Sequence, residues 1–181
     1  MLSIINKIRF DIKSDRIGPD CPYTHWRLFY EKKMLKLCKN KFGAFGEGSE
    51  FRPYSYAITC SKIFIGKRVV IRPNTMIFAD PRETDKGKVI IKDDVLIGSG
   101  VHIYVANHKF GKKDTPVVNQ GHFKPQNTLI GSGCWIGANA IILPGVEIGD
   151  NSIIGAGSVV TKSIPSNVVV VGNPARIIKE I

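Results

Sequence analysis

Residues 129–165 read LIGSGCWIGANAIILPGVEIGDNSIIGAGSVVTKSIP. Ile130, Ile136, Ile142, Ile148, Ile154 and Val160 recur every sixth residue, and Ile130, Ile136, Ile148 and Ile154 are each followed by glycine. The fifth position of each unit is small or aliphatic: Cys134, Ala140, Val146, Ser152, Ser158 and Ile164. Because side chains alternate along a strand, the fifth and first positions face a core and the sixth between them faces out, while Gly, Asn and Asp elsewhere permit a tight corner. Each unit is therefore one short strand plus one bend, and stacked units make a parallel β-helix.

Working backward, the same period returns in two other phases, through Ile91, Ile97 and Ile103 and through Ile65, Ile71 and Ile77. Each change of phase marks an insertion. Residues 78–90 (FADPRETDKGKVI) and 104–129 (YVANHKFGKKDTPVVNQGHFKPQNTL) are polar and carry Pro and Gly, so they read as surface loops, where function concentrates. Ahead of the repeats, Trp26, Phe29, Tyr30, Met34, Leu37 and Cys38 stand at helical spacing among Lys32, Lys33, Lys36 and Lys39. Residues 24–40 thus predict a basic amphipathic helix that caps the open end of the core or touches a membrane surface. At the other end Asn173 and Pro174, followed by Arg176, Ile177, Ile178 and Ile181, predict a short terminal helix. The expected organisation is an all-β-dominated chain with an N-terminal basic helical segment (1–60), a β-helix (61–167) and a C-terminal tail and helix (168–181).

The 181 residues, 43% hydrophobic and 23% charged, suit one compact domain and exclude disorder. A formal charge of +11 favours an anionic partner such as a phosphate-bearing ligand or an anionic lipid surface. Nucleic acid is disfavoured, because no helix-turn-helix spacing, zinc-finger pairing or ribonucleoprotein signature accompanies the charge. Cys21, Cys38, Cys60 and Cys134 are scattered without a CxxC pair, which fits a reducing cytoplasm. The opening MLSIINKIRFD is too short in apolar residues for a signal peptide, so the expected location is cytoplasmic, with peripheral membrane contact through residues 24–40 as a further expectation.

The stretches VLIGSGVHIYVANH (95–108), LIGSGCWIGANAIILPGVEIGDNSIIGAGSVVTKSIP (129–165) and VVVVGNPARIIKEI (168–181) resemble the hexapeptide-repeat acyltransferases, in particular sugar O-acetyltransferases of the maltose and galactoside type. The resemblance supplies the left hand of the coil, which periodicity alone does not fix. It implies transfer of an acetyl group from acetyl-coenzyme A to a sugar hydroxyl, in surface polysaccharide biosynthesis, by a homotrimer with active sites between subunits. It makes His108, in VANH, the general base, a role suited to an imidazole that titrates near neutrality. The register agrees: His108 is the sixth residue of the unit opening at Ile103 and should point outward beside the long loop.

For the cofactor the resemblance carries over Ala138 and Ala156, small residues along its path, with Thr161, Lys162 and Lys179. Arg176 is a neighbouring cation suited to phosphate, and outward-facing Trp135 is an aromatic able to wall the channel. On the acceptor side it implies Asp80, whose carboxylate accepts hydrogen bonds from sugar hydroxyls. The chain departs from the family there, with Arg72 where an asparagine usually stands and Asn74 displaced by two. In the long loop Gln120 and His122 are the candidates for the remaining acceptor contacts. Within the fold, an amino acid, amino sugar or antibiotic is the rival acceptor. A γ-type carbonic anhydrase-like zinc site from His102, His108 and His122 conflicts with the register, which puts His102 and His108 on different sides of the prism. A non-catalytic scaffold is the third reading.

Overall fold

The computed structural model describes residues 2–82 and 85–181. Its centre is a three-faced parallel β-helix. The first face stacks Tyr56–Ile58, Met76–Phe78, His102–Tyr104, Ile141–Ile142 and Val159–Val160, with Arg16–Ile17 antiparallel at its outer edge. The second stacks Ala44–Phe45, Ile63–Ile65, Val89–Ile91, Thr128–Ile130 and Glu147–Ile148. The third stacks Glu50–Phe51, Val70–Ile71, Leu96–Ile97, Trp135–Ile136, Ile153–Ile154 and Val168–Gly172. The chain visits the faces in that order, coil after coil, and the coils are in register: Ile97 pairs Ile136, and Ile136 pairs Ile154.

The six-residue arithmetic explains the interior. Ile130, Ile136, Ile142, Ile148, Ile154 and Val160 are buried, as are Cys134, Ala140, Val146, Ser152, Ser158 and Ile164 between them. A buried isoleucine of this kind is worth about 1.5–3 kcal/mol relative to an exposed one. The two serines are satisfied across coils, Ser152 Oγ donating to Pro165 O at 2.7 Å and Ser158 Oγ accepting from Gly172 N at 3.1 Å. The corners need the left-handed backbone region: Gly133 and Gly145 adopt φ of +69° and +80°.

The ends depart from the sequence expectations. The coil begins at Ala44–Phe45, inside the segment expected to be helical up to residue 60, because its inward positions carry Phe45, Phe51 and Ala57, six residues apart and preceded by buried Ser49 and Ser55, in place of the isoleucines that mark the period further on. The single helix expected over 24–40 is broken. A helical turn at Pro22–His25 runs into a 3₁₀ turn at Trp26–Phe29, Tyr30 turns extended, and a new helix spans Glu31–Lys41. The break rotates the stripe: Met34, Leu37 and Cys38 pack with Leu28 into the core, whereas Trp26, Phe29 and Tyr30 are left exposed. The buried part covers the first coil beside Phe42, Phe45 and Phe51. A further helix, α1 (Leu2–Lys13), precedes it. The expected C-terminal helix is instead a strand, Ala175–Glu180, antiparallel to Val168–Gly172. Asn173 and Pro174 form the hairpin turn, and the β-branched run that follows is matched by a valine-rich partner whose hydrogen bonds it completes.

Candidate active site

Both insertions leave the prism at the same edge. Residues 79–88 link Met76–Phe78 on the first face to Val89–Ile91 on the second, and one coil later residues 105–127 link His102–Tyr104 to Thr128–Ile130. They are stitched together, Lys88 N donating to Asn127 Oδ1 and Thr128 N to Lys88 O, each at 3.0 Å. The long loop folds back on itself as an antiparallel arm, with Phe123 N donating to Asn107 O and Lys109 N to Gly121 O, both at 2.9 Å. This pairing sets His108 directly opposite His122.

Between the loops lies a cleft of about 410 Å³ lined by Ile58, Phe78, Ala79, Asp80, Pro81, Tyr104, Val105, Ala106, Asn107, His108 and His122. His108 is exposed and its ring centroid lies 4.2 Å from that of His122. Phe78 and Tyr104 stack at 5.2 Å and nearly parallel to form an apolar wall, and the Tyr104 hydroxyl is 2.9 Å from His102 Nδ1. Asp80 is 5% exposed, and hydrogen bonding from the Arg82 side chain holds its carboxyl below the usual carboxylate range. The site therefore places an imidazole pair and an ionised carboxylate around one crevice with an aromatic wall.

The structure thus brings Asp80, His108 and His122 together but not the other acceptor candidates. Asn74 occupies a corner of the prism with φ of +63° and does not line the cleft. Gln120 is turned away, its amide bonding to both main-chain groups of Lys112 and to Thr115 O, which braces the loop tip. Arg82 escaped the sequence reading; the short Asp-Pro-Arg spacing was its signal. Phe78 and Tyr104 escaped it too, although both directly follow an inward isoleucine in successive coils.

The cofactor candidates fall on two edges. Ala138 and Ala156 stack at the corner between third and first faces, where Gly157 N donates to Ala138 O at 2.8 Å. Trp135, 51% exposed, stands on the adjacent third face, and Arg176 and Lys179 are exposed on the hairpin that borders it. Thr161 and Lys162 are exposed on the opposite edge of the first face, the edge that bears the cleft, two coils further along. The small-residue corner fits a narrow pantetheine arm, since a Cβ placed on Gly157 meets nothing within 4 Å, and the nearby cations fit its phosphates. His102 belongs to the outer surface of the first face, and among the described residues no group of three His, Cys, Asp or Glu side chains is arranged to hold a metal ion.

Residues 127–162 match the family model of the bacterial transferase hexapeptide (six repeats). The chain is 39% identical over 150 residues to the galactoside O-acetyltransferase of Escherichia coli (strain K12), covering 83% of this chain and 70% of that one. It is 36% identical over 124 residues to WcaF of the same organism, which carries the name of a colanic acid biosynthesis acetyltransferase, covering 64% of this chain and 68% of the relative. Among solved structures, a galactoside acetyltransferase in complex with coenzyme A superposes with a TM-score of 0.76 at 34% identity, covering 99% of this chain and 80% of that one.

Proposed function

Because the chain belongs to the hexapeptide-repeat acetyltransferases of the galactoside and maltose O-acetyltransferase type and uses acetyl-coenzyme A as its acetyl donor, we propose that it acetylates a sugar hydroxyl bound in the cleft between its two loops, with His108 as general base. The observation that carries this reading is the meeting of His108 and Asp80 in one crevice.

His108 takes the proton of the acceptor hydroxyl as its oxygen bonds to the acetyl carbonyl carbon. The carbon–sulfur bond then breaks, and the imidazolium returns the proton to the departing thiolate, leaving free coenzyme A and the acetyl ester. Asp80 accepts a hydrogen bond from a neighbouring hydroxyl, His122 supplies a second polar contact, and the Phe78–Tyr104 wall meets the apolar face of the ring. Arranging two substrates in one geometry is where most of the acceleration arises, because the thioester is already activated.

The division of the cofactor candidates between two edges supports a homotrimer of left-handed coils, in which the cofactor lies between the Ala138–Ala156 corner of one subunit and the Thr161–Lys162 edge of its neighbour. The names of the relatives support a saccharide acceptor and a place in surface polysaccharide biosynthesis. Four unpaired, buried cysteines support a reducing, cytoplasmic location.

The test is release of free thiol from acetyl-coenzyme A with a panel of sugars, amino sugars, amino acids and antibiotics, comparing wild type with His108→Ala. A loss of about 10²–10⁴-fold in kcat with a sugar acceptor is expected. Full turnover by His108→Ala overturns the base, and turnover restricted to amine acceptors overturns the sugar.

A further inference from the structure

α1 (Leu2–Lys13) leaves most of its apolar side chains in solvent. Its one buried residue is Asp11, which binds the Lys7 ammonium and accepts from Tyr23 N at 3.0 Å, so a carboxylate anchors the helix to the protein. Ile8 beside Asp11 is half-buried, whereas Leu2, Ile4, Ile5, Phe10 and Ile12 are between 41% and 79% exposed. A helix serving only its own fold buries its apolar face. In the turn that continues from Pro22–His25, the element packed against α1, Trp26, Phe29 and Tyr30 are also exposed, Trp26 being tied through its indole N–H to Tyr23 O at 3.0 Å. Lys33 Nζ sits 4.3 Å from the ring centroid of Trp26 and 4.8 Å from that of Tyr30.

The charge around this surface has one sign. Residues 1–41 contain ten Lys and Arg against four Asp and Glu. Three of the four acids are engaged with the protein: Asp11 as above, Asp15 by Ser61 N at 2.9 Å and Ser61 Oγ at 2.5 Å, and Asp20 by Arg16 at 3.3 Å. Arg9, Lys13, Lys32, Lys36 and Lys39 are exposed. Apolar side chains, amphipathic aromatics and unneutralised cations together match the boundary of an anionic bilayer, where rings lie at headgroup depth and lysines meet lipid charge. A second copy docking the same surface would bring like charges together. Among the described residues no helix is long and apolar enough to cross a membrane, so the fit is to lying on the surface.

We propose that α1, together with Trp26, Phe29 and Tyr30, lies in the plane of an anionic lipid headgroup layer. This surface is separate from the cleft and does not rest on the acetyl-transfer reading.

The test is co-sedimentation of the full chain with vesicles of phosphatidylcholine alone and of phosphatidylcholine containing phosphatidylglycerol. Binding to the anionic vesicles is expected, weaker by at least about tenfold on neutral vesicles and in about 0.5 M NaCl. Replacing exposed side chains by Leu2→Ser, Ile5→Ser and Ile12→Ser, or reversing charge by Lys32→Glu, Lys33→Glu and Lys36→Glu, should each cut binding by about tenfold or more. The thermal midpoint by circular dichroism should stay unchanged in both variants. Equal affinity for both vesicle types, or none for either, overturns the proposal. So does light scattering in which the serine variant loses subunits while neither protein binds vesicles, since the occupant is then a second copy.

Discussion

The guanidinium of Arg82 grips both oxygens of Asp80: Nε donates to Oδ1 at 2.8 Å and Nη2 to Oδ2 at 2.6 Å, and the Arg82 main-chain N–H adds a bond to Oδ1 at 2.9 Å. A carboxylate offers about four lone-pair sites, so about one remains for an acceptor hydroxyl. Nη2 also reaches Phe123 O at 3.4 Å, next to His122, so one side chain spans both loops that wall the cleft.

Loss of this grip should loosen acceptor binding more than chemistry. Arg82→Gln is expected to raise acceptor KM by about 10–100-fold, discounted from a fully buried pair because Arg82 is partly exposed, and to leave the KM for acetyl-coenzyme A unchanged. Arg82→Lys, which keeps the charge without the fork, should fall between. Steady-state kinetics with each substrate varied in turn reads the difference. The pairing lowers the Asp80 titration, so its contribution is complete above the ordinary value of 3.8 and is lost as pH falls through the lower value of the folded state. Acceptor affinity in wild type should therefore persist to more acidic pH than in Arg82→Gln.

Neighbouring residues on one strand should behave oppositely. Ile136 is wholly buried and Ile136→Ala should destabilise by about 2–5 kcal/mol, read by chemical denaturation. Trp135 faces out, so Trp135→Ala should change stability by less than about 0.5 kcal/mol while raising the KM for acetyl-coenzyme A if the ring walls the cofactor path.

His25 links pH to stability. It is buried, its Nε2 accepts from Tyr54 N at 3.0 Å, and burial lowers its pKa below the ordinary 6.5. The unfolded chain then binds the proton more readily, so this contribution is complete well above pH 6.5 and declines as pH falls below it. Calorimetry should show the thermal midpoint dropping on acidification, and the slope should flatten in His25→Gln.

All four cysteines are buried, and desolvation pushes each thiol upward, Cys60 to about 12. A bulky thiol reagent should thus react with none in the native protein and with four after denaturation, leaving released coenzyme A as the thiol that an assay detects.

The interior was legible because a period of six, repeated from Ile130 to Val160, can be satisfied by one arrangement of strands and corners. The ends were not. Phe45, Phe51 and Ala57 keep the six-residue spacing but put aromatic and small side chains where later coils have isoleucine, and the Ala175–Glu180 strand exists because a partner edge was open beside it. At the site, Asp80 and His108 were implied by the family resemblance. The outward strand register expected for His108 is not realised, because the chain leaves the stack after Tyr104 and carries His108 on the loop arm opposite His122. Arg82 depended on a side chain reaching back two residues across a loop whose path no local pattern specifies. The Gln120 expectation failed for a similar reason: its amide found main-chain partners at the loop tip.

Both excursions depart from and rejoin the prism at one corner, in register with coils that do not change to receive them. The stack therefore works as a chassis with a single interchangeable socket. Transplanting segments 79–88 and 105–127 as a pair between relatives should transfer acceptor preference while melting behaviour stays with the recipient, whereas transplanting either alone separates Arg82 from the strand of loop it holds.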